Sequence, residues 1–264
     1  MTPAHLADAH LADGLQADGV TVEIGGLRIL DHVNLSIRPG ERRVILGPNG
    51  AGKTTLFNVL TGLTRPTSGR VVLHDVDITT WAPHRRSHAG LSRTFQITNL
   101  MGSLSVRDNV NLALASRDPK IRRDGFRALS RRRALLERSD ALLARWGLAD
   151  RAHLPVQTLS YGDRRHLEII VAVACEPSVL LLDEPTAGLS PADTTEVMEL
   201  IHGLERDLSI VVIEHDLTVA FRLADSVTVL AEGRVHAEGP ADDVGVRAAV
   251  DELYVGAIRR SELS

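Results

Sequence analysis

Apolar residues follow two patterns along this chain, and the first is typical of β-strands. Short runs rich in β-branched residues, VTVEI, LRILDHVNLSI and RRVILG, occupy most of residues 20–47. Two later runs, SVLLLDEP and SIVVIEHD, are continuously apolar and end at charged or turn residues, as parallel strands buried on both faces do. The segment SVTVLAEGRVHAEGP predicts a hairpin that turns at Glu232 and Gly233.

The second pattern is helical. From Pro83 to about Gly147 the chain is rich in arginine and carries leucine at helical spacing between charges. We therefore predict an α/β domain over residues 15–264, with a helical subdomain inserted at about residues 84–165. Residues 1–14 contain no apolar signal-peptide core and predict a disordered leader. The longest apolar run, IIVAVAC, is too short to cross a bilayer, so any membrane connection requires a partner or the lipid surface.

Composition excludes a few classes of protein. The 264 residues include 30 Lys and Arg against 34 Asp and Glu, and the formal net charge of −4 gives no general attraction to nucleic acid. A hydrophobic content of 44% and a charged content of 24% are those of a globular protein. The single cysteine, Cys175, rules out an internal disulfide and is interpreted as a buried packing residue.

Candidate chemistry begins where the third β-rich run ends. The segment GPNGAGKTT has the pattern G-x-x-x-x-G-K-T between an apolar strand and a helix, which is the context of a phosphate-binding loop. Its glycines let backbone N–H groups converge on phosphate oxygens, and the helix N-terminus adds partial positive charge. Lys53 would contact the β- and γ-phosphates, and the Thr54 hydroxyl would bind Mg²⁺. The residues predicted to contact the nucleotide here are Gly47, Pro48, Asn49, Gly50, Ala51, Gly52, Lys53, Thr54 and Thr55.

Two later strands end in polar side chains that suit the same site. Asp183 would hold Mg²⁺, directly or through water, and Glu184 would take the proton from an attacking water. His215 follows the next core strand and would reach the γ-phosphate. His84 and His88 have metal-ligand spacing, but two arginines lie between them, and a solvated helix face is the favoured interpretation.

The segment LSYGDRRHLEI opens a further helix. Its serine and aspartate form a Ser-x-x-Asp capping box, so a plain helix start is one interpretation. Together with the preceding motifs, in this order, the chain from about residue 15 onward resembles the nucleotide-binding subunits of ABC transporters. The resemblance implies a RecA-like P-loop NTPase core, an N-terminal antiparallel β-subdomain and the inserted helical subdomain. In that family this segment is the signature, and Ser160, Tyr161, Gly162 and Asp163 would close over the γ-phosphate of ATP bound to a second subunit.

The same resemblance assigns further segments. Gln96 in RTFQIT matches the Q-loop, where the glutamine contacts Mg²⁺ or the lytic water and links to the membrane subunit. AGLSP, residues 187–191, matches the D-loop, and His215 matches the switch histidine. The signature tyrosine, SRTFQITNL and the ending ELYVGAIRR are similar to the ATP-binding subunits of branched-chain amino acid importers. Related urea and amide importers share much of this.

Four features depart from the family's pattern, and one of them is the pair Met101-Gly102, which stands where relatives often carry a bulkier pair, in the segment expected to touch the permease. Ile24 stands where an aromatic residue commonly stacks on adenine, so a weaker, merely apolar contact with the base is expected. Asp163 replaces the usual signature glutamine, and its carboxylate would repel phosphate although it can still cap the helix. Ser190 replaces the D-loop aspartate and, with Asp193, predicts a second capping box.

These features predict a magnesium-dependent ATPase that powers an ABC importer for branched-chain amino acids or a related small polar solute. Its partners would be a second ATP-binding subunit, in a homo- or heterodimer, two membrane permeases and, indirectly, a solute-binding protein. It would lie at the cytoplasmic face of the bacterial inner membrane as a peripheral subunit. Two alternatives stay open: a soluble ABC ATPase that binds nucleic acid through the arginines between Arg117 and Arg133, and a catalytically weak regulatory subunit. The acidic net charge disfavours the first, and the complete catalytic set disfavours the second.

Overall fold

The computed structural model describes residues 14–94, 100–117 and 133–261, with side chains described up to residue 254. The strands in these ranges are β1 (Leu15–Ile24), β2 (Leu27–Ile37), β3 (Arg42–Leu46), β4 (Ser68–Leu73), β5 (Val76–Asp77), β6 (Leu91–Arg93), β7 (Val179–Asp183), β8 (Ser209–Ile213), β9 (Ser226–Ala231) and β10 (Arg234–Pro240). The α-helices are α1 (Lys53–Thr61), α2 (Pro83–His88), α3 (Val106–Ser116), α4 (Arg133–Arg145), α5 (Tyr161–Ala174), α6 (Pro191–His202), α7 (Leu217–Leu223) and α8 (Val244–Ser261). Short 3₁₀ turns cover Ala149–Arg151 and Val156–Thr158.

A six-stranded sheet forms the centre of the fold, in the order β10-β9-β3-β8-β7-β6. Its strands run parallel except β10, which pairs antiparallel with β9 through the predicted hairpin. Every residue of β3, β7 and β8 is buried, because helices or the second sheet cover both faces. Because β3, β8 and β7 run parallel, their carboxyl ends lie at the same edge of the sheet, and the residues that follow these strands lie close to one another.

The second sheet is antiparallel, in the order β2-β1-β4-β5, and confirms the predicted N-terminal β-region. Helix α1 packs between the two sheets, with Leu56, Phe57 and Leu60 fully buried in the apolar cluster that joins them. Helices α3, α5 and α6 pack with the opposite face of the large sheet in another apolar cluster. Because α1 is packed between the two sheets, the position of the loop that precedes it is fixed as well.

Two strands differ from the predictions. Strand β1 begins at Leu15, well before VTVEI, because its pairing with β2 and β4 continues through a register shift near Gly19, whose φ is +58°. The prediction of a helical region from Pro83 to about Gly147 is wrong at Leu91–Arg93, which pairs parallel with β7 as the edge strand of the large sheet.

The solvated helix face predicted for the His84–His88 segment is wrong at its central arginine. Arg86 is only 1% exposed, and its guanidinium donates to the carbonyls of Val59 and Leu60 at 2.7 and 2.6 Å, in the last turn of α1. It also donates to two carbonyls of the loop before α2 at 2.8 and 3.1 Å. Burial lowers the pKa of Arg86 to about 10. The segment therefore anchors the C-terminal end of α1, where a helix leaves carbonyls without intrahelical partners.

Some predictions lie outside the described residues. These are the roles of Gln96, most of the arginine-rich stretch between residues 117 and 133, and the leader before Gly14. The division into a core and a helical subdomain at residues 84–165 stays an expectation. None of the described helices is long and apolar enough to cross a bilayer.

Candidate functional site

The predicted phosphate-binding loop leaves the end of β3 and enters α1, the context that its sequence predicts. Gly47 has a φ of +153°, and a Cβ there would lie 2.1 Å from the Leu230 carbonyl oxygen on β9. Gly52 caps α1 with a φ of +101°, and a Cβ there would lie 2.7 Å from the Leu30 side chain. Both glycines are required sterically because the loop passes against neighbouring strands. The first-turn N–H groups of α1 have no intrahelical acceptor and are available to an anion.

The ammonium group of Lys53 lies inside the curve of this loop. It donates to the carbonyls of Gly47 and Pro48 at 2.6 and 3.0 Å, and the residue is 6% exposed. Burial lowers the pKa of Lys53, whereas the charges of Glu184 and Asp183 oppose that shift. Of the other predicted loop residues, Asn49, Gly50 and Thr54 are exposed, Thr55 and Pro48 are half-buried, and Ala51 is buried. The loop therefore curves around the Lys53 ammonium group, and its exposed residues lie beside that group.

Asp183 ends β7 and is held from one side by an arginine. Its Oδ2 accepts from Arg93 at 2.6 Å, and the same guanidinium donates to Asn58 on α1 at 2.7 Å. Its Oδ1 is buried with no hydrogen-bond partner in the described part of the chain. The carboxylate consequently keeps one oxygen for a further ligand.

Glu184 and His215 meet at the ends of adjacent parallel strands. Strands β7 and β8 pair up to Asp183 and Ile213, and the Glu184 N–H continues the ladder by donating to the Ile213 carbonyl at 2.9 Å. The Nε2 atom of His215 lies 2.5 Å from Oε1 of Glu184. Glu184 has a φ of +48°, a conformation that non-glycine residues rarely adopt and that occurs where surrounding contacts impose it. The structure thus brings together the carboxylate and imidazole that the sequence predicts.

The signature segment is the start of α5, and Ser160 is its N-cap, as the predicted capping box requires; the Asp163 carboxylate binds the Ser160 hydroxyl and not its backbone N–H. The Ser160 hydroxyl accepts from the Asp163 N–H at 3.0 Å and donates to its Oδ2 at 2.8 Å. The other carboxylate oxygen, Oδ1, pairs with Arg151 at 2.7 Å. The carboxylate is thus bound within its own chain, by the helix that it caps and by an arginine of the preceding 3₁₀ turn.

The signature and the D-loop segment pack against each other. The Tyr161 hydroxyl donates to the Ala187 carbonyl at 3.2 Å, and a Cβ on Gly162 would lie 2.7 Å from the Asp193 carboxyl group. Ser190 caps α6 by accepting from the Asp193 N–H at 3.2 Å, which confirms the serine cap of the second predicted capping box, and its hydroxyl donates to the Asp193 carboxylate at 2.7 Å. The N-termini of α5 and α6 consequently form one contiguous surface.

Ile24, the predicted adenine contact, lies at the turn between β1 and β2. Its side chain is 59% exposed and pairs across the turn with Leu27, which is 69% exposed. Two apolar side chains of this size in water suit the face of a planar base. The contact with adenine stays a prediction.

Three residues near the site were missed. The sequence patterns assign no role of its own to Arg93 in SRTFQITNL, to Glu214 beside His215 or to Tyr254 in ELYVGAIRR. The Tyr254 hydroxyl lies 3.4 and 3.5 Å from the backbone N and O of Gly47, so α8 contacts the start of the phosphate loop. Apart from the bond between Glu214 and the neighbouring His215, the contacts that place these residues at the site join segments at least 28 residues apart, and no local pattern reveals them.

Comparison with known proteins agrees with this geometry. The family model for ABC transporters matches residues 30–187, more than half of the chain. LivG of Escherichia coli strain K12, a high-affinity branched-chain amino acid transport ATP-binding protein, is 35% identical over 89% of this chain and 94% of its own length.

Solved structures give the same result. MJ1267, an ATP-binding cassette of an ABC transporter, superposes with a TM-score of 0.78 at 27% identity, over 92% of this chain and 98% of that chain. The ATP-binding cassette MJ0796, in a dimeric post-hydrolysis state bound to ADP and Pi, gives a TM-score of 0.72 at 27% identity over 87% and 99% of the two chains. These likenesses confirm the predicted P-loop fold, and they do not favour a nucleic-acid ATPase. The chain therefore belongs to the ABC transporter family, as one of its ATP-binding, ATP-hydrolysing subunits.

Proposed function

We propose that this chain drives uptake of branched-chain amino acids, or of a related small polar solute, as the ATPase subunit of an importer. The observation that carries the proposal is the 35% identity to LivG across nearly the whole of both chains. The site supports it because the ammonium, the two carboxylates and the imidazole that hydrolysis requires lie together at one edge of the sheet.

The nucleotide would bind between two copies of the subunit, or between this chain and a close relative. The phosphate loop of one copy holds the triphosphate, and the signature residues Ser160 to Asp163 of the other close over the γ-phosphate. The exposed N-terminus of α5 suits this role, since its amides and dipole favour an anion. The pairing of Asp163 with Arg151 reduces the repulsion that an unpaired carboxylate would exert on phosphate.

Magnesium fits the residues of the site. The unpartnered Oδ1 atom of Asp183 suits a carboxylate oxygen that binds a cation. Asp183, Thr54 and Gln96 would hold the ion together with phosphate oxygens. When bound, Mg²⁺ neutralises charge on the β- and γ-phosphates.

The chain's own groups carry the remaining chemistry. Lys53 exchanges its two loop carbonyls for phosphate oxygens, which places its charge where negative charge accumulates. Glu184 accepts a proton from water as the water oxygen attacks the γ-phosphorus, and ADP leaves. His215 holds the Glu184 carboxylate through the 2.5 Å contact and faces the γ-phosphate.

The free energy of ATP hydrolysis would drive conformational changes in membrane partners. ATP binding closes the two copies, product release reopens them, and the change reaches two permeases through the segment around Gln96. A solute-binding protein would deliver the solute to the permeases from the other side of the membrane. The subunit would sit peripherally at the cytoplasmic face of the bacterial inner membrane.

Substitution of Glu184 by Gln tests the catalytic part of this proposal. We expect ATP hydrolysis to fall by about 10²- to 10⁴-fold, ATP binding to persist, and closed dimers to accumulate on size-exclusion chromatography. Glu205→Gln is the matched control, because that carboxylate forms an exposed ion pair with Arg145 away from the site. Turnover close to wild type in Glu184→Gln would remove this residue from the role of base.

Reconstitution tests the transport part. The chain should co-purify with its cognate permeases, and vesicles containing the complex should accumulate leucine or valine only when ATP is enclosed on the side of this subunit. ATP-dependent uptake of urea or an amide without amino acid uptake would reassign the solute. Salt-sensitive binding to DNA or RNA without permease binding would support the nucleic-acid alternative.

A further inference from the structure

The carboxyl group of Glu214 is buried directly behind the catalytic pair. The residue follows β8, is 3% exposed and precedes His215. Its Oε1 accepts from the N–H and the hydroxyl of Thr186 at 3.1 and 2.8 Å, and its Oε2 accepts from the N–H of His215 at 3.2 Å. It cannot reach a substrate in solution, and none of the roles proposed above uses it.

These three hydrogen bonds join the two segments that carry the reacting groups. Thr186 lies two residues after Glu184, in the loop that leaves β7, and His215 lies at the end of β8. The loop starts from the unfavourable backbone conformation of Glu184, at a φ of +48°, so it requires contacts beyond its own sequence. Glu214 supplies such contacts on the Thr186 side and fixes the backbone of His215 on the other.

The chemistry of the three donors explains why a carboxylate occupies this position. Two N–H groups and one hydroxyl point at Glu214, and a carboxylate offers only acceptors. A carboxamide would turn its NH₂ group toward one of the two backbone N–H donors in either orientation. Burial raises the pKa of Glu214, and the bonds from Thr186 and His215 counter that rise.

We propose that Glu214 is a positioning residue for hydrolysis, which holds Glu184 and His215 at the separation that activates water. The proposal rests on the function proposed above, with Glu184 as base. Displacement of a reacting group by about 1 Å can cost about 100-fold in rate without changing how substrate binds. Loss of the contact should therefore lower kcat and leave the KM for ATP unchanged.

Glu214→Gln and Thr186→Val are the two test variants, and both retain side-chain size. We expect kcat to fall by about 10- to 100-fold in Glu214→Gln and by about 3- to 10-fold in Thr186→Val, which loses only the hydroxyl bond. The KM for ATP should stay within about twofold of wild type in both. Thr186→Ser keeps the hydroxyl and should recover wild-type kcat.

A control separates positioning from simple loss of stability. Ser209→Ala removes a buried hydroxyl at the opposite end of β8, where it bonds to Gly40 and Arg38. It should lower the melting temperature without lowering kcat per folded molecule. Glu214→Gln should lower kcat per folded molecule, with circular dichroism and titration of active sites measuring the folded fraction.

A double-substitution cycle tests whether Glu214 acts through the catalytic pair. In a Glu184→Gln background, where no base is left to position, the effect of Glu214→Gln should shrink to less than about threefold, because residues that act as one unit are not additive. Fully multiplicative effects would overturn the proposal, as would a wild-type kcat in Glu214→Gln or a raised KM with unchanged kcat. If Glu184→Gln itself turns over ATP normally, the assignment of the base fails instead.

Discussion

Replacement of Arg86 by methionine should destabilise this protein more than the same replacement of Arg85, the other arginine of α2. Arg86 is the buried arginine of that helix, and its guanidinium makes four hydrogen bonds to backbone carbonyls between 2.6 and 3.1 Å. Methionine fills a similar volume without any donor. The substitution therefore isolates the polar contribution from the packing.

The expected magnitude follows from the carbonyls that lose their partner. Each hydrogen bond contributes about 1 kcal/mol net, and those to charged donors contribute more, so four bonds give about 4 kcal/mol. The guanidinium also faces the negative end of the α1 dipole, an effect of about 0.3–1 kcal/mol. Removal of the buried charge offsets part of this loss of stability, because burial destabilises the charged guanidinium, as its lowered pKa indicates. We expect the free energy of unfolding to fall by about 3–5 kcal/mol.

Urea denaturation followed by circular dichroism measures this change. Arg85→Met is the matched control, because Arg85 lies on the same helix, is exposed and stacks on the Trp81 ring at 3.8 Å. Its loss should cost at most about 1 kcal/mol. The loss of unfolding free energy in Arg86→Lys should lie between those of the two methionine variants. The single nitrogen of an ammonium can reach only some of the four carbonyls that the planar guanidinium binds.

The same variant should weaken ATP binding, because Arg86 fixes the end of the helix that begins at Lys53. A fluorescent ATP analogue measures this in the folded protein under native conditions. If Arg86→Met unfolds at the same urea concentration as Arg85→Met, with the same slope, the anchoring argument is refuted.

Three substitutions test the contacts proposed around the nucleotide. Gly162→Ala should lower ATPase activity about fivefold or more through its clash with Asp193, and Asp193→Ala in the same chain should partly restore it; unchanged activity contradicts the close approach. Ile24→Tyr should lower the KM for ATP about threefold to tenfold by stacking on the base, and an unchanged KM would argue against the adenine contact. Arg151→Ala should slow hydrolysis in low salt by leaving the Asp163 carboxylate unpaired, whereas Arg151→Lys should not; equal rates in both would show that the ion pair is irrelevant.

Local patterns carry the parts of the fold that the sequence predicts. The runs VLLLD and SIVVI identify β7 and β8 because strands covered on both faces are continuously apolar. The phosphate loop is equally readable, since its backbone path excludes side chains at Gly47 and Gly52. The two helix caps at Ser160 and Ser190 depend only on a residue three positions later.

Local sequence patterns do not predict contacts between segments that lie far apart in the chain. Arg86 reads as part of a charged run, and two of its four acceptors lie 26 and 27 residues earlier on another helix. Strand β6 has only three residues, two of them polar, and its identity comes from pairing with β7. Glu214 reads as a solvated acid at a strand end until the fold brings Thr186 against it.

The contact between the signature and the D-loop has a consequence for how two nucleotide sites would communicate. Tyr161 donates to the Ala187 carbonyl, and Gly162 leaves no room for a Cβ between α5 and the Asp193 side chain, so the start of α5 directly contacts both the loop after β7 and the first turn of α6. In the proposed dimer, the signature of one copy touches its partner's triphosphate, while Ala187 lies three residues after that copy's own Glu184. Closure over the partner's nucleotide would therefore shift the loop that carries the copy's own base. Because the Tyr161 hydrogen bond is made to a backbone carbonyl, we expect it to persist when residue 187 is exchanged, and we expect Tyr161→Phe to remove it while the Gly162–Asp193 contact remains.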